Sequence, residues 1–79
     1  MDREQFNFCN KLYNELLNRK RINPDKYERE DAFMGAIMDI ENGKDMKDAF
    51  IDSFKSVHNI EITDEIYQSC FHLVKGFSK

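Results

Sequence analysis

Four segments of the chain carry apolar residues at the spacing of an α-helix, each between a residue type that starts helices and one that ends them. Such spacing places one hydrophobic stripe along a helix, and that stripe is buried against another element. Because the 79 residues include only three Gly and one Pro, we expect short connections. The pattern predicts an all-α fold, a small four-helix bundle with a single helical domain over residues 1–79.

The first and last segments have the clearest boundaries. Asp2 is a capping residue type with Gln5 three positions later, which predicts a first helix over Arg3–Lys20. Thr63 precedes two acidic residues, which the positive end of a helix favours, and it is predicted to cap the last helix. The predicted stripes are Phe6, Cys9, Leu12, Tyr13, Leu16 and Leu17 in the first helix, and Ile66, Tyr67, Cys70, Leu73, Val74 and Phe77 in the last.

The second segment carries the broadest apolar arc. Asn23 followed by Pro24 predicts its start, because a capping side chain and a Pro at the first helical position both favour initiation. Asn42 and Gly43 predict its end after Glu41. More than half of its circumference is apolar, so we expect it to be central and to pack on two neighbours through Tyr27, Phe33, Met34, Ala36, Ile37, Met38 and Ile40.

The third segment is predicted to start at Asp45, as its capping residue, and to end at His58-Asn59. Its apolar face comprises Met46, Ala49, Phe50, Phe54 and Val57. Phe54 lies well inside this face, as Met34 and Ile37 do in the second helix, so all three are predicted to be core residues. Ile51 is out of pattern, because it projects away from the apolar face among charged side chains.

Composition limits the cellular setting that we expect. The apolar fraction of 41 % is enough for a core, but no stretch approaches the roughly 20 apolar residues of a membrane span. The first residues are too polar for a secretory signal, so we expect a cytoplasmic protein with no membrane partner. Cys9 and Cys70 both lie on apolar stripes, which favours reduced, buried thiols over a disulfide.

Candidate chemical motifs do not have the spacing that their chemistry needs. The residues Cys9, Cys70, His58 and His72 lack the paired spacing of a zinc site. A calcium loop counted from Asp39 would have its glycine at the wrong position, and the three glycines form no phosphate-binding loop. Cysteines in apolar stripes are also poor nucleophiles. We therefore expect no enzymatic activity, no metal and no cofactor.

The net charge of −3 argues against direct nucleic-acid binding. Such binding draws affinity from clustered basic residues against phosphate, and the one basic cluster is Arg19-Lys20-Arg21. This cluster ends a helix, where the helix dipole favours cations. The third helix would present Asp45, Asp48 and Asp52 to DNA, so a helix-turn-helix role is not expected.

One segment resembles the second helix of acyl carrier proteins. It begins at Gly43-Lys44-Asp45-Met46, continues through a helix and ends in the acidic stretch of residues 60–65. The resemblance implies a carrier role, in which a serine after an aspartate holds phosphopantetheine. No serine stands beside Asp45, and in Asp52-Ser53-Phe54, which is closer to the signature, Ser53 is predicted in mid-helix. A carrier is therefore the third functional class.

The leading functional prediction is a small acidic protein-binding module that covers a surface of a larger protein. Adaptors, inhibitors and immunity-type regulators of phages or bacteria are of this class, and binding needs only an exposed patch with charge complementarity. The predicted partner-binding patch is Ile51 with Asp48, Asp52 and Lys55, an apolar anchor inside a charged rim. Self-association into a homodimer is a further partner option.

The alternative prediction is a nucleic-acid mimic that occupies the basic channel of a nucleic-acid-binding protein. Carboxylates would then imitate phosphates, and the acidic residues available for this are Asp45, Asp48, Asp52, Glu28, Asp31, Asp39 and Glu41.

Overall fold

The computed structural model describes residues 1–77, and this part of the chain contains four α-helices and no β-strand. The helices are α1 (Arg3–Lys20), α2 (Lys26–Glu41), α3 (Met46–Ser53), which continues as a π-helical turn over Phe54–His58, and α4 (Asp64–Phe77). Helix α1 packs on α4 and α2, and α3 packs on α2 and α4. The predicted all-α four-helix bundle is confirmed, and α2 lies between two neighbours.

Three of the predicted helix starts are confirmed by side-chain caps. The Asp2 carboxylate accepts a hydrogen bond from the backbone N–H of Gln5 at 2.7 Å. The Asp45 carboxylate accepts from two backbone N–H groups of the first turn of α3. The Thr63 hydroxyl accepts from the N–H of Ile66 at 3.2 Å. Each cap supplies an acceptor for an N–H that has no partner within the helix.

The predicted start of α2 at Asn23-Pro24 is wrong. Asp25 is the capping residue, and its carboxylate accepts from the backbone N–H of Glu28 at 2.9 Å. An aspartate followed three positions later by a glutamate is itself a start signal of the capping-box type. Pro24 therefore precedes the cap and does not occupy the first helical turn.

The third helix ends at His58-Asn59, as predicted, but its last turn is π-helical. Asn59 adopts the left-handed conformation with φ 55°, which Asn tolerates better than most residues. The N–H of Ile60 then donates to the carbonyl of Phe54 at 3.2 Å and closes the turn. Within this turn, Phe54 and His58 both lie against Tyr13 of α1.

The core is one cluster of buried side chains from all four helices and from the link before α4. Phe54 and Ile37 belong to it, as predicted. Its members are Cys9, Leu12, Tyr13, Leu16 and Leu17 of α1, Ala32, Phe33, Ala36 and Ile37 of α2, Ala49, Phe50 and Phe54 of α3 and its π-turn, and Ile62, Tyr67 and Cys70.

Both cysteines are buried free thiols, as the stripes predicted. Burial raises the pKa of Cys9 to about 11 and also raises the pKa of Cys70. A higher thiol pKa leaves less of the reactive thiolate at neutral pH.

Several apolar residues assigned to stripes are exposed instead. Met34, predicted to be in the core, is 45 % exposed, and Met38 and Tyr27 of the same helix are more exposed still. Phe6 and Leu73 are also exposed. A helix with two neighbours buries one side, so the broad arc of α2 cannot be buried completely. The side chain of Phe77 and residues 78–79 of the predicted domain lie outside the described part of the chain.

Candidate functional site

The predicted partner-binding patch lies on α3 and its π-turn. Asp48, Asp52 and Lys55 are exposed, as expected. Ile51 is half-buried and packs against the core, so the expectation of an exposed apolar anchor there is wrong. The physical reason is that α3 packs on both α2 and α4, so side chains on more than one side of this helix are partly covered.

A larger exposed apolar surface lies on α2. Tyr27, Met34 and Met38 are 77 %, 45 % and 59 % exposed. At 3.6 residues per turn they project within about 40° of one another. The buried residues Ala32 and Ala36 project to the opposite side of the helix. We call Tyr27, Met34 and Met38 the α2 ridge.

Acidic residues flank the α2 ridge along its length. Glu30 and Glu41 project on the side towards α1, and Asp31 projects on the side towards α3, and all three are exposed. The two basic residues of α2, Lys26 and Arg29, project away from the ridge. The outer side of α2 is therefore apolar along its middle with carboxylates along both edges, and one of these, Glu41, is paired with the terminal ammonium group.

Aromatic packing extends this surface towards α1. The Phe6 ring, 39 % exposed, stands edge-on to the ring of Phe33, with the ring centroids 5.3 Å apart. Phe33 in turn lies 5.6 Å from the ring of Tyr13 inside the core. The exposed Phe6 is thus held by buried aromatic side chains.

A groove of about 350 Å³ lies on the other side of the ridge, between α2 and α3. We call it the acidic groove, because three carboxylates line it; its lining is Asp31, Gly35, Asp39, Asp52, Ser53, Ser56 and Val57. The ammonium group of Lys44 lies 2.5 Å from the Asp52 carboxylate and 3.7 Å from that of Asp39. The hydrogen bond to Asp52 is the main reason that the pKa of Lys44 is raised.

Ser53, the serine closest to the carrier-protein signature, has a structural contact. Its hydroxyl donates a hydrogen bond to the backbone carbonyl of Ala32 and joins α3 to α2. A serine that carries a prosthetic group needs a hydroxyl that the modifying enzyme can reach. Ser53 is half-buried, and its hydroxyl is already hydrogen-bonded. The contact does not support a carrier role.

Tyr13 and His58 form a polar contact at the edge of the core. The Tyr13 hydroxyl and His58 Nε2 are hydrogen-bonded at 2.9 Å, and the two rings are stacked. Burial lowers the pKa of His58, while the nearby Glu28 carboxylate acts in the opposite direction. Burial also raises the pKa of Tyr13 to about 12. The pair satisfies a phenol that is almost completely buried.

Several carboxylates considered for nucleic-acid mimicry have partners within the chain. Asp45 caps α3, and Asp39 and Asp52 are paired with Lys44. Glu41 lies 3.1 Å from the terminal ammonium group. A row of phosphate-like charges needs carboxylates without neighbouring cations, so these pairs give the mimic little support.

Within residues 1–77, no three His, Cys, Asp or Glu side chains are grouped closely enough to hold a metal ion. None of the helices in the described part combines the length and the hydrophobicity needed to cross a lipid bilayer.

Comparison with known protein families, curated proteins and solved structures finds no match to this chain. Function is inferred from the exposed side chains on the outer side of α2.

Proposed function

We propose that this chain is a protein-binding module that covers part of the surface of a larger protein with the outer side of α2. Adaptors, inhibitors and immunity-type regulators belong to this class. The observation that carries the proposal is the α2 ridge, three large apolar side chains that project away from the core. An exposed apolar strip with a charged rim is typical of protein interfaces.

The residue types of the α2 ridge suit a binding surface. Aromatic residues and Met are enriched at the centres of interfaces, and Met side chains adapt to irregular partner surfaces. Fully burying an exposed Met side chain contributes roughly 1.5–3 kcal/mol. Because only about half of each residue is exposed, Met34 and Met38 together would contribute roughly 1.5–3 kcal/mol of a micromolar affinity, which corresponds to about −8 kcal/mol.

A different protein is favoured over a second copy of this chain. A two-fold symmetric dimer through the ridge would bring the same surface together from both copies. The exposed carboxylates of Glu30 and Asp31 would then approach those of the other copy, and like charges across an interface are unfavourable. Of the predicted partner-binding patch, Asp52 remains part of the proposed surface, because it lines the acidic groove beside the ridge.

Photo-cross-linking tests the proposal directly. A cross-linking amino acid replaces Met38 in one variant and Leu73 in another, because Leu73 is an exposed apolar residue on a different helix. Irradiation in the source cell should join the Met38 variant, and not the Leu73 variant, to one larger protein. Linkage from position 73 alone, or no product from position 38, would overturn the proposal.

The affinity for that larger protein is the second readout. The double variant Met34→Gln/Met38→Gln keeps good helix formers on α2 but removes the apolar side chains. It should bind at least about tenfold more weakly, while Leu73→Gln binds as the unaltered chain does. If Met34→Gln/Met38→Gln and Leu73→Gln bind the larger protein with equal affinity, the contact lies on a face other than the outer side of α2.

A further inference from the structure

We infer that the partner presents a basic amphipathic helix, with apolar side chains on the α2 ridge and a cationic side chain in the acidic groove. This inference rests on the proposed function of the ridge and names the chemistry of its partner. The ridge and the groove lie side by side on α2, so one bound segment can contact both.

Charge complementarity gives the first argument. The groove holds three carboxylates, Asp31, Asp39 and Asp52, against the single ammonium group of Lys44. Glu30 adds negative charge along the far edge of the ridge, where the neighbouring Glu41 is paired with the terminal ammonium group. A guanidinium group matches such a groove well, because its planar array of donors can serve two carboxylates at once.

Gly35 gives an independent argument for close approach from outside. It lies in the middle of α2 and lines the acidic groove beside the ridge, at a position where glycine is a poor helix former. A Cβ at this position would meet nothing within 4 Å in the described part of the chain, so the fold itself does not require a glycine. A missing side chain would let a partner side chain pass from the ridge into the groove.

The dimensions favour a helical segment. Tyr27 and Met38 are about 16 Å apart along the axis of α2, or roughly three turns, at 1.5 Å per residue. A second helix can cover such a ridge by inserting its side chains between those of α2, as the helices inside the bundle do. A segment of about 12 residues would span the surface.

Lys44 occupies the place that we assign to the partner's cation. Its ammonium group already contacts Asp39 and Asp52, so it neutralises part of the groove in the free protein. The incoming guanidinium must compete with it for the same oxygens. Removal of the Lys44 charge should therefore strengthen the binding of a basic segment.

The probe for the test is a synthetic helical peptide of about 14 residues with Leu on one face and Arg on the other. A matched peptide carries Glu in place of Arg. In an NMR titration, the Arg peptide should shift the amide signals of α2 around Gly35, and added salt should weaken its binding. The Glu peptide should not bind. Equal binding of both peptides, or shifts confined to α4, would overturn the inference.

Variants then assign the contact to the groove. Asp31→Asn/Asp39→Asn should lower the affinity for the Arg peptide by at least about fivefold, and Lys44→Met should raise it. Gly35→Leu should fill the groove and weaken binding while circular dichroism shows unchanged helicity. The control Glu65→Gln removes one exposed carboxylate from α4 and should change nothing. An identical loss in Glu65→Gln, or no loss in Asp31→Asn/Asp39→Asn, would contradict the inference.

The same variants separate this inference from the proposed function. If the protein cross-linked at position 38 binds Asp31→Asn/Asp39→Asn as tightly as the unaltered chain, the ridge stands as the binding surface and the basic partner helix is wrong. If no protein is cross-linked at position 38, the proposed function fails first.

Discussion

Tyr13 joins α1 to α2 and to the π-turn within the core. Its ring lies 5.6 Å from that of Phe33 and 5.4 Å from that of Phe54, measured between centroids. Its hydroxyl is bonded to His58, so one residue combines aromatic packing with a satisfied polar group. Phe54 and His58 are four residues apart and lie on the same side of the π-turn, so both rings reach Tyr13.

Truncation of Phe54 tests this packing. Phe54 is completely buried, so Phe54→Ala should lower the free energy of unfolding by roughly 3–5 kcal/mol through lost burial and a new cavity. Small domains have only about 5–15 kcal/mol in total, so much of the stability would be lost. Urea unfolding measures the change, with the exposed Met38→Ala as the control. An unchanged midpoint for Phe54→Ala would contradict the placement of the π-turn.

His58 should make stability depend on pH. Its folded pKa lies below the ordinary value of 6.5, so between the two values the unfolded chain binds more protons than the folded one. The contribution of His58 to the free energy of unfolding is therefore fully present above about pH 6.5, and it is lost as the pH falls towards the lowered folded pKa. Urea unfolding at neutral and mildly acidic pH should show this loss in the unaltered chain and less of it in His58→Gln. If the free energy of unfolding depends on pH equally in the unaltered chain and in His58→Gln, the pKa of His58 is not lowered by folding.

At the scale of the elements, the helix boundaries follow from the sequence wherever one capping signal stands alone. Asp2 and Thr63 have no competing signal nearby, and both starts are confirmed. Before α2, Asn23-Pro24 and Asp25 are both legitimate signals, and propensity alone does not rank them. The π-turn has no distinct signal in the sequence, because Phe54 and Val57 fit the apolar face of an ordinary α-helix equally well.

The exposure of the α2 ridge was not predicted from the sequence, for a related reason. Hydrophobic periodicity shows that α2 is apolar over a broad arc, but it does not show which part of that arc faces the core. Met34 and Met38 fit a core assignment as well as a surface one. The available signal was the width of the arc itself, which exceeds what a helix in a small bundle can bury.

Gly35 provides a prediction about α2 as an element. Because a Cβ there meets nothing in the described part, Gly35→Ala should stabilise the helix by about 1 kcal/mol, the difference in helix propensity. Thermal unfolding measures this gain. Gly43→Ala is the matched control and should destabilise, because Gly43 has φ +101°. A loss of stability in Gly35→Ala would show that a Cβ at position 35 clashes with neighbouring atoms in the folded chain.

At the scale of the whole molecule, each helix of the bundle buries one side and leaves another to solvent. The exposed residues of α1 and α4 are mainly polar, with Phe6 and Leu73 as exceptions, whereas those of α2 include the three large apolar residues of the ridge. A domain measuring 31 × 25 × 22 Å has few apolar residues to spare from its core. We attribute their exposure on one helix to contact with a partner.

Peroxide footprinting of the unaltered chain tests this claim most directly. Peroxide converts exposed Met to its sulfoxide, and mass spectrometry reports the rate for each Met separately. In the free protein, Met34 and Met38 should react faster than the half-buried Met46. In complex with the protein recovered by cross-linking, both rates should fall at least about fivefold while that of Met46 stays the same. Unchanged oxidation of Met34 and Met38 in the complex would contradict the α2 ridge as the binding surface.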